Sequence, residues 1–174
     1  EAIVSLPVGL EVPTVETVLG AVPVSELGVT LTHEHILNDV TSWAHRTSSL
    51  GWDPEDLAGR PVTEDILWDL RQDPFANVDN CRLADREVAV AEVARFAALG
   101  GRTLVEATGL GIGRDLAGLQ EVSRRTGVHI VAGTGFYLDA AQPDDVKGLP
   151  AERIAELVLA DVRQGVGGIR PGIV

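Results

Sequence analysis

Cysteine is almost missing. Cys81 is the only one in 174 residues, which excludes an internal disulfide framework. A lone thiol suits a reducing compartment, and on that ground the chain is expected to be cytoplasmic. Lysine is equally scarce: Lys147 stands beside thirteen arginines, and the formal net charge is -12. So acidic a surface repels nucleic-acid phosphates and anionic lipid, and argues against both as partners. No run approaches the about 18 consecutive apolar residues that a membrane span needs. The opening "EAIVSLPVGLEVP" lacks the basic and long apolar regions of a signal peptide, although a leader removed before Glu1 would leave no trace. Aromatics are only 4% of the chain, yet all three tryptophans, Trp43, Trp52 and Trp68, fall between residues 38 and 80.

What is present points to one folded domain. Apolar residues make up 45%, enough for a core and too many for disorder. "VETVLGAVPVSELG" (15–28) has the punctuation of a small hairpin, with Gly20 and Pro23 as turn residues. "GVTLTHEH" (28–35) reads as a first buried strand. The stretch 38–80 is a long connection with a short helix expected near "TEDILWDLR" (63–71), and its three tryptophans argue for order. In "RLADREVAVAEVARFAALGG" (82–101), Val88, Ala91, Val93, Phe96 and Leu99 roughly follow the helical period before Gly100-Gly101 stops it. Strand "TLVEAT" (103–108), a helix over 113–127 capped by Asp115, strand "VHIVAGT" (128–134) and a helix over 149–166 follow. "GIRPGIV" (168–174) looks like another strand beginning. Strands alternating with helices predict a parallel α/β sheet of right-handed βαβ units. It could close as an open doubly wound sheet or as a (β/α)8 barrel. A barrel needs about 250 residues, so this chain would supply roughly half of one.

Two of the four histidines sit in "THEH". On a strand, i and i+2 share a side, so His33 and His35 face one way, roughly 6.5 Å apart at ~3.3 Å per residue. Their imidazoles can converge on one ion, while Glu34 points away. Two ligands do not complete a catalytic zinc site, which takes three or more from the protein. His129 lies at the wrong end of its strand and reads as structural, and His45 as a loop surface residue. The bland account of the pair is two histidines hydrogen-bonded separately in a polar loop. "TLVEATGLGIGRDL" invites a dinucleotide reading, but Gly109, Gly111 and Gly113 give G-x-G-x-G, Arg114 takes the sixth position, and the next strand ends without an acid. A tight strand-to-helix loop is the better account.

Taken together, "GVTLTHEHI", "LVEATGLGIGRD", "IVAGTGFY" and "GIRPGIV" resemble the phosphotriesterase family, with its lactonase-like and phosphotriesterase-related branches, in the amidohydrolase superfamily. The likeness covers nearly the whole chain except the 38–80 loop, which looks longer than usual. It implies a (β/α)8 TIM barrel, of which these residues are the first half, strands 1–4, with a binuclear metal centre at the strands' C-terminal ends. His33 and His35 would be first-strand ligands of the more buried of two divalent ions, zinc in the first instance, with manganese, cobalt or iron as alternatives. The bridging ligand, a carboxylated lysine or a glutamate, would follow Gly172-Ile173-Val174, and further ligands would come from later strands, so the polypeptide is expected to continue. Tyr137 matches an aromatic beside the metals that touches substrate, and Ile112 a substrate-facing position in the second loop. Glu106 occupies a place where relatives often carry aspartate, and its facing is left open.

The resemblance implies a metal-dependent hydrolase of ester-like bonds in small molecules: a lactone or other carboxylic ester before an organophosphate, since lactonase-like members share the tyrosine. The tryptophan loop would shape specificity, and a homodimer is compatible with the family. Two other classes stay open. A catalytically silent barrel would bind an apolar ligand or a partner. A structural half-barrel would close its sheet by pairing with a second copy.

Overall fold

The computed structural model of the chain describes residues 12–44 and 57–174. β1 (Thr14–Thr17) and β2 (Gly20–Pro23) form the expected antiparallel hairpin. The Val18 N–H in its turn donates to the Ile130 carbonyl at 2.8 Å, and the Val18 side chain is buried, so the hairpin is docked on the main sheet. β3 (Val29–Glu34) follows and carries the first histidine. It forms an edge of the sheet with Val29 and Leu31 exposed, where the sequence suggests a buried strand.

The long connection leaves and returns at one clasp. β4 (Asn38–Asp39) pairs antiparallel with β5 (Arg82–Leu83), and Arg82 donates to Asp39 at 3.1 Å. Between them α1 (Leu67–Gln72) matches the helix expected there. The order of this segment rests on a small aliphatic cluster of Leu57, Ile66, Leu70 and Ala76. Buried Asn77 donates to the carbonyls of Leu57 at 2.7 Å and Arg60 at 2.8 Å. Trp68 does not build that cluster, being 67% exposed, and Trp52 lies outside the described residues.

α2 (Arg86–Ala98) is capped by Asp85, whose carboxylate accepts from the Glu87 and Val88 N–H groups. Its buried face is Ala89 and Val93, with Val90, Phe96 and Ala97 alongside. Val88, Ala91 and Leu99, expected on the buried stripe, are exposed instead. The helix is apolar on more than one side, so periodicity alone does not choose the face. β6 (Gly101–Glu106), α3 (Leu116–Thr126), β7 (His129–Ala132) and α4 (Ala151–Gln164) then alternate. Asp115 accepts from the Gly118 N–H at 2.8 Å, and Gly127 closes α3 in the left-handed region at φ 71°.

β3, β6 and β7 are parallel neighbours in that order. The last residues add a fourth parallel rung: the Gly172 N–H donates to Ala132 O at 2.9 Å, and Thr134 N–H to Ile173 O at 3.1 Å. One core joins helices to sheet through Val93, Leu104, Leu119, Val122, Ile130 and Ala132. Each large aliphatic side chain buried there contributes about 1.5–3 kcal/mol. Among the described residues the sheet is open at β3, and no helix is long and apolar enough to cross a membrane.

Candidate metal centre

The histidine pair is introduced by an irregularity that the sequence does not announce. Leu31 pairs with Leu104 and Glu34 with Glu106, so β3 takes three steps where β6 takes two. One extra residue in β3 makes a β-bulge, a device that re-aims side chains at strand ends. His33 lies within it and His35 just beyond, and their rings stand edge to face, 5.5 Å between centroids and 71° between planes. Both are exposed at the C-terminal end of the strand. Glu34 lines a groove of about 380 Å³ between β3 and α2, beside Leu31, Ile36, Phe96 and Leu104.

Beneath His35 lies a polar chain. His35 Nδ1 is 2.9 Å from Thr108 Oγ1, and the Thr108 hydroxyl lies 2.5 Å from Glu106 Oε1. Glu106 also accepts from the Ile36 N–H at 3.2 Å and the Thr108 N–H at 3.1 Å. Glu106 is 0% exposed, which answers where this residue faces. Burial raises its carboxyl above the usual range, opposed by these hydrogen bonds. Desolvation, followed by the neighbouring His33 charge, lowers the pKa of His35, with Glu34 acting the other way. The neutral imidazole favoured by that shift is the form that binds metal.

Two imidazoles at this separation, when neutral, fit the donor chemistry of zinc and its neighbours. They would supply only part of a ligand set: among the described residues, no three histidine, cysteine, aspartate or glutamate side chains gather around one point. His129 is half-buried at the start of β7, paired with Thr103 at the opposite end of the sheet. His45 lies outside the described residues.

Tyr137 follows β7 at the same end of the sheet as the histidines and is 55% exposed. Its ring tilts against Trp43 at 5.3 Å, and Trp43 meets Phe75 edge-on at 5.5 Å. The inserted segment thus reaches the strand ends through Trp43. Ile112 is placed differently from Tyr137: its side chain is 2% exposed, and its carbonyl accepts from the Asp39 N–H at 2.9 Å. The glycine loop packs against its own chain. A Cβ at Gly113 would lie 2.5 Å from the Asp39 nitrogen, and one at Gly111 would strike the Ala141 carbonyl. Arg114 is buried against Asp161 at 2.5 Å, where the Thr134 hydroxyl also donates. Backbone and carboxylate take the places that a phosphate would need.

Comparison with known proteins bears on the family and the fold. A model of the phosphotriesterase family matches residues 13–174. A phosphotriesterase-related protein from Nematostella vectensis is 36% identical over 166 residues, covering 91% of this chain and 46% of the relative. An N-acetyltaurine hydrolase from Tetraodon nigroviridis is 35% identical over 163 residues, covering 92% and 46%. Among solved structures, a resiniferatoxin-binding protein from Rhodobacter sphaeroides superposes with a TM-score of 0.85 at 42% identity, covering 92% of this chain and 45% of the other. A lactonase from Listeria monocytogenes superposes with a TM-score of 0.66 at 22% identity over 92% of this chain and 46% of its own, a likeness of fold. The chain spans about half the length of the curated relatives it matches.

Proposed function

The chain belongs to the phosphotriesterase family, and from that premise we propose that it carries the first-strand part of a metal-dependent hydrolase site in a (β/α)8 barrel. Its substrate class is the ester-like bond, with lactones and other carboxylic esters ahead of phosphotriesters. The observation that carries the reading is the His33–His35 pair, ring to ring at 5.5 Å, at the C-terminal end of a parallel strand. In α/β barrels this end is where active sites are built. His33 and His35 would hold the more buried of two divalent ions, zinc first, with manganese, cobalt or iron as alternatives. When bound, such ions supply an activated hydroxide and polarise the carbonyl or phosphoryl oxygen. Tyr137, backed by Trp43 and Phe75, offers an aromatic wall for the substrate's apolar part.

The test is bound metal per chain, by elemental mass spectrometry, on the protein expressed from its complete gene. About two ions are expected, with loss on changing His33 and His35 to alanine. A protein without metal, or with metal indifferent to those substitutions, would overturn the reading. Activity is then sought on lactones, carboxylic esters, organophosphates and, because of the N-acetyltaurine hydrolases among the relatives, N-acetylated aminosulfonates.

A second reading has its own support. The solved relative at 42% identity is described by what it binds, resiniferatoxin. A barrel that holds a bulky apolar ligand without turnover would show saturable binding and no product.

A further inference from the structure

We propose that Thr108 and Glu106 are positioning residues that lock His35 in the Nδ1–H tautomer, leaving Nε2 as its only lone-pair nitrogen. The directions of the hydrogen bonds carry the argument. The peptide N–H groups of Ile36 and Thr108 can only donate, so both Glu106 oxygens accept: Oε1 from Ile36 and Oε2 from Thr108. The third contact on this carboxylate is the Thr108 hydroxyl, 2.5 Å from Oε1. A hydroxyl has one proton, and with Glu106 ionised the carboxylate takes it. Toward His35, Thr108 Oγ1 is then left only as an acceptor, so the proton in that 2.9 Å contact belongs to Nδ1.

The chain of donors runs from imidazole to hydroxyl to carboxylate. Glu106 and Thr108 are both fully buried, so water does not compete for the link between them. His35 itself is exposed, and without the chain its ring would sample both tautomers and other orientations. The carboxylate also holds the backbone beside the ring, through the Ile36 N–H. Glu106 therefore fixes the histidine twice, once through the ring and once through the main chain. Partners of this kind behind a metal ligand are typically worth about 10- to 100-fold in affinity.

The inference draws its purpose from the metal reading above, but its geometry stands without it, and the experiment separates the two. The protein from its complete gene is prepared as Thr108→Val, Thr108→Ser, Glu106→Gln and wild type. Nitrogen NMR of the His35 ring in chelator-treated protein reads the tautomer, and competition with a chromophoric chelator reads zinc affinity. Wild type and Thr108→Ser are expected to show Nδ1–H. Thr108→Val should show a mixture and a zinc affinity lower by roughly 10- to 100-fold. Glu106→Gln should shift His35 toward Nε2–H, because a Gln amide can donate to Oγ1 and free the hydroxyl proton for the ring. An Nε2–H tautomer in wild type overturns the proposal, as does a Thr108→Val protein unchanged in both readouts. If wild type takes up no zinc but Thr108→Val still releases the tautomer, the metal reading falls and the positioning role stands.

Discussion

Glu106 illustrates how much one side chain can depend on its surroundings. It is a carboxylate with no exposed surface, held by two peptide N–H groups and a hydroxyl. Its folded pKa is raised, mainly by desolvation, so the folded state holds the proton more tightly than the unfolded chain does. Stability from this group is therefore present below the ordinary glutamate value of about 4.3 and declines as pH rises through the raised folded value. Urea midpoints measured across that window in the presence of chelator should fall with rising pH in wild type, and fall less in Glu106→Gln. Equal slopes would mean that Glu106 is not the group that titrates. Trp43 makes a second prediction at this scale. Removing one member of an aromatic pair worth about 0.5–1.5 kcal/mol should raise KM for bulky aromatic esters roughly 2- to 12-fold in Trp43→Ala, and leave small lactones nearly unaffected. An unchanged preference would put the inserted segment off the substrate path.

At the scale of elements, the clamp between Arg114 and Asp161 ties the loop before α3 to α4, and through Thr134 to the end of β7. Most other ion pairs, such as Arg86–Asp115 and Arg125–Glu87, are exposed and screened by water, so they add little to stability. The buried pair differs in kind. Taking away one partner leaves an unpaired charge in the interior, so Arg114→Met should destabilise by roughly 3–5 kcal/mol. The double variant Arg114→Met with Asp161→Leu should recover much of that loss, read from urea unfolding. Asp161 Oδ1 has no hydrogen-bond partner among the described residues, so this carboxylate is already imperfectly satisfied and the double change has less to lose. The inserted segment is likewise held at two levels: the β4–β5 clasp fixes its ends, and the Leu57–Ile66–Leu70–Ala76 cluster its middle.

At the scale of the whole molecule, β3 is a sheet edge beside an apolar groove of about 380 Å³. Its lining sets Leu31, Ile36, Val88 and Phe96 beside Glu34, Arg82 and Glu92, which suits an amphipathic probe. Residues 1–174 should therefore bind the dye ANS, and Phe96→Asp should weaken the binding. Equal dye binding by the two would mean that the groove is not where the dye sits. The net charge of -12 opposes association of the chain, so dye fluorescence is a better readout than precipitation.

The sequence by itself determined the elements whose causes are local. Asp115 and Gly127 bound α3 because a side-chain cap and a left-handed glycine act within a few residues. The hairpin at Gly20 and the alternation of strands with helices follow from chain geometry of the same short range. Tertiary structure alone decided what depends on partners distant in the chain. α2 buries Ala89 and Val93 because the sheet lies there, although Val88 and Leu99 are as apolar. Leu57, Ile66, Leu70 and Ala76 form an aliphatic cluster that Trp68 leaves for the surface. The bulge in β3 exists only in its register with β6, and Glu106 reaches the backbone beside His35 across 70 residues of chain. A hydrogen-bond chain from imidazole to carboxylate has no periodicity and no motif, so it becomes visible only when the strands that carry its members lie side by side.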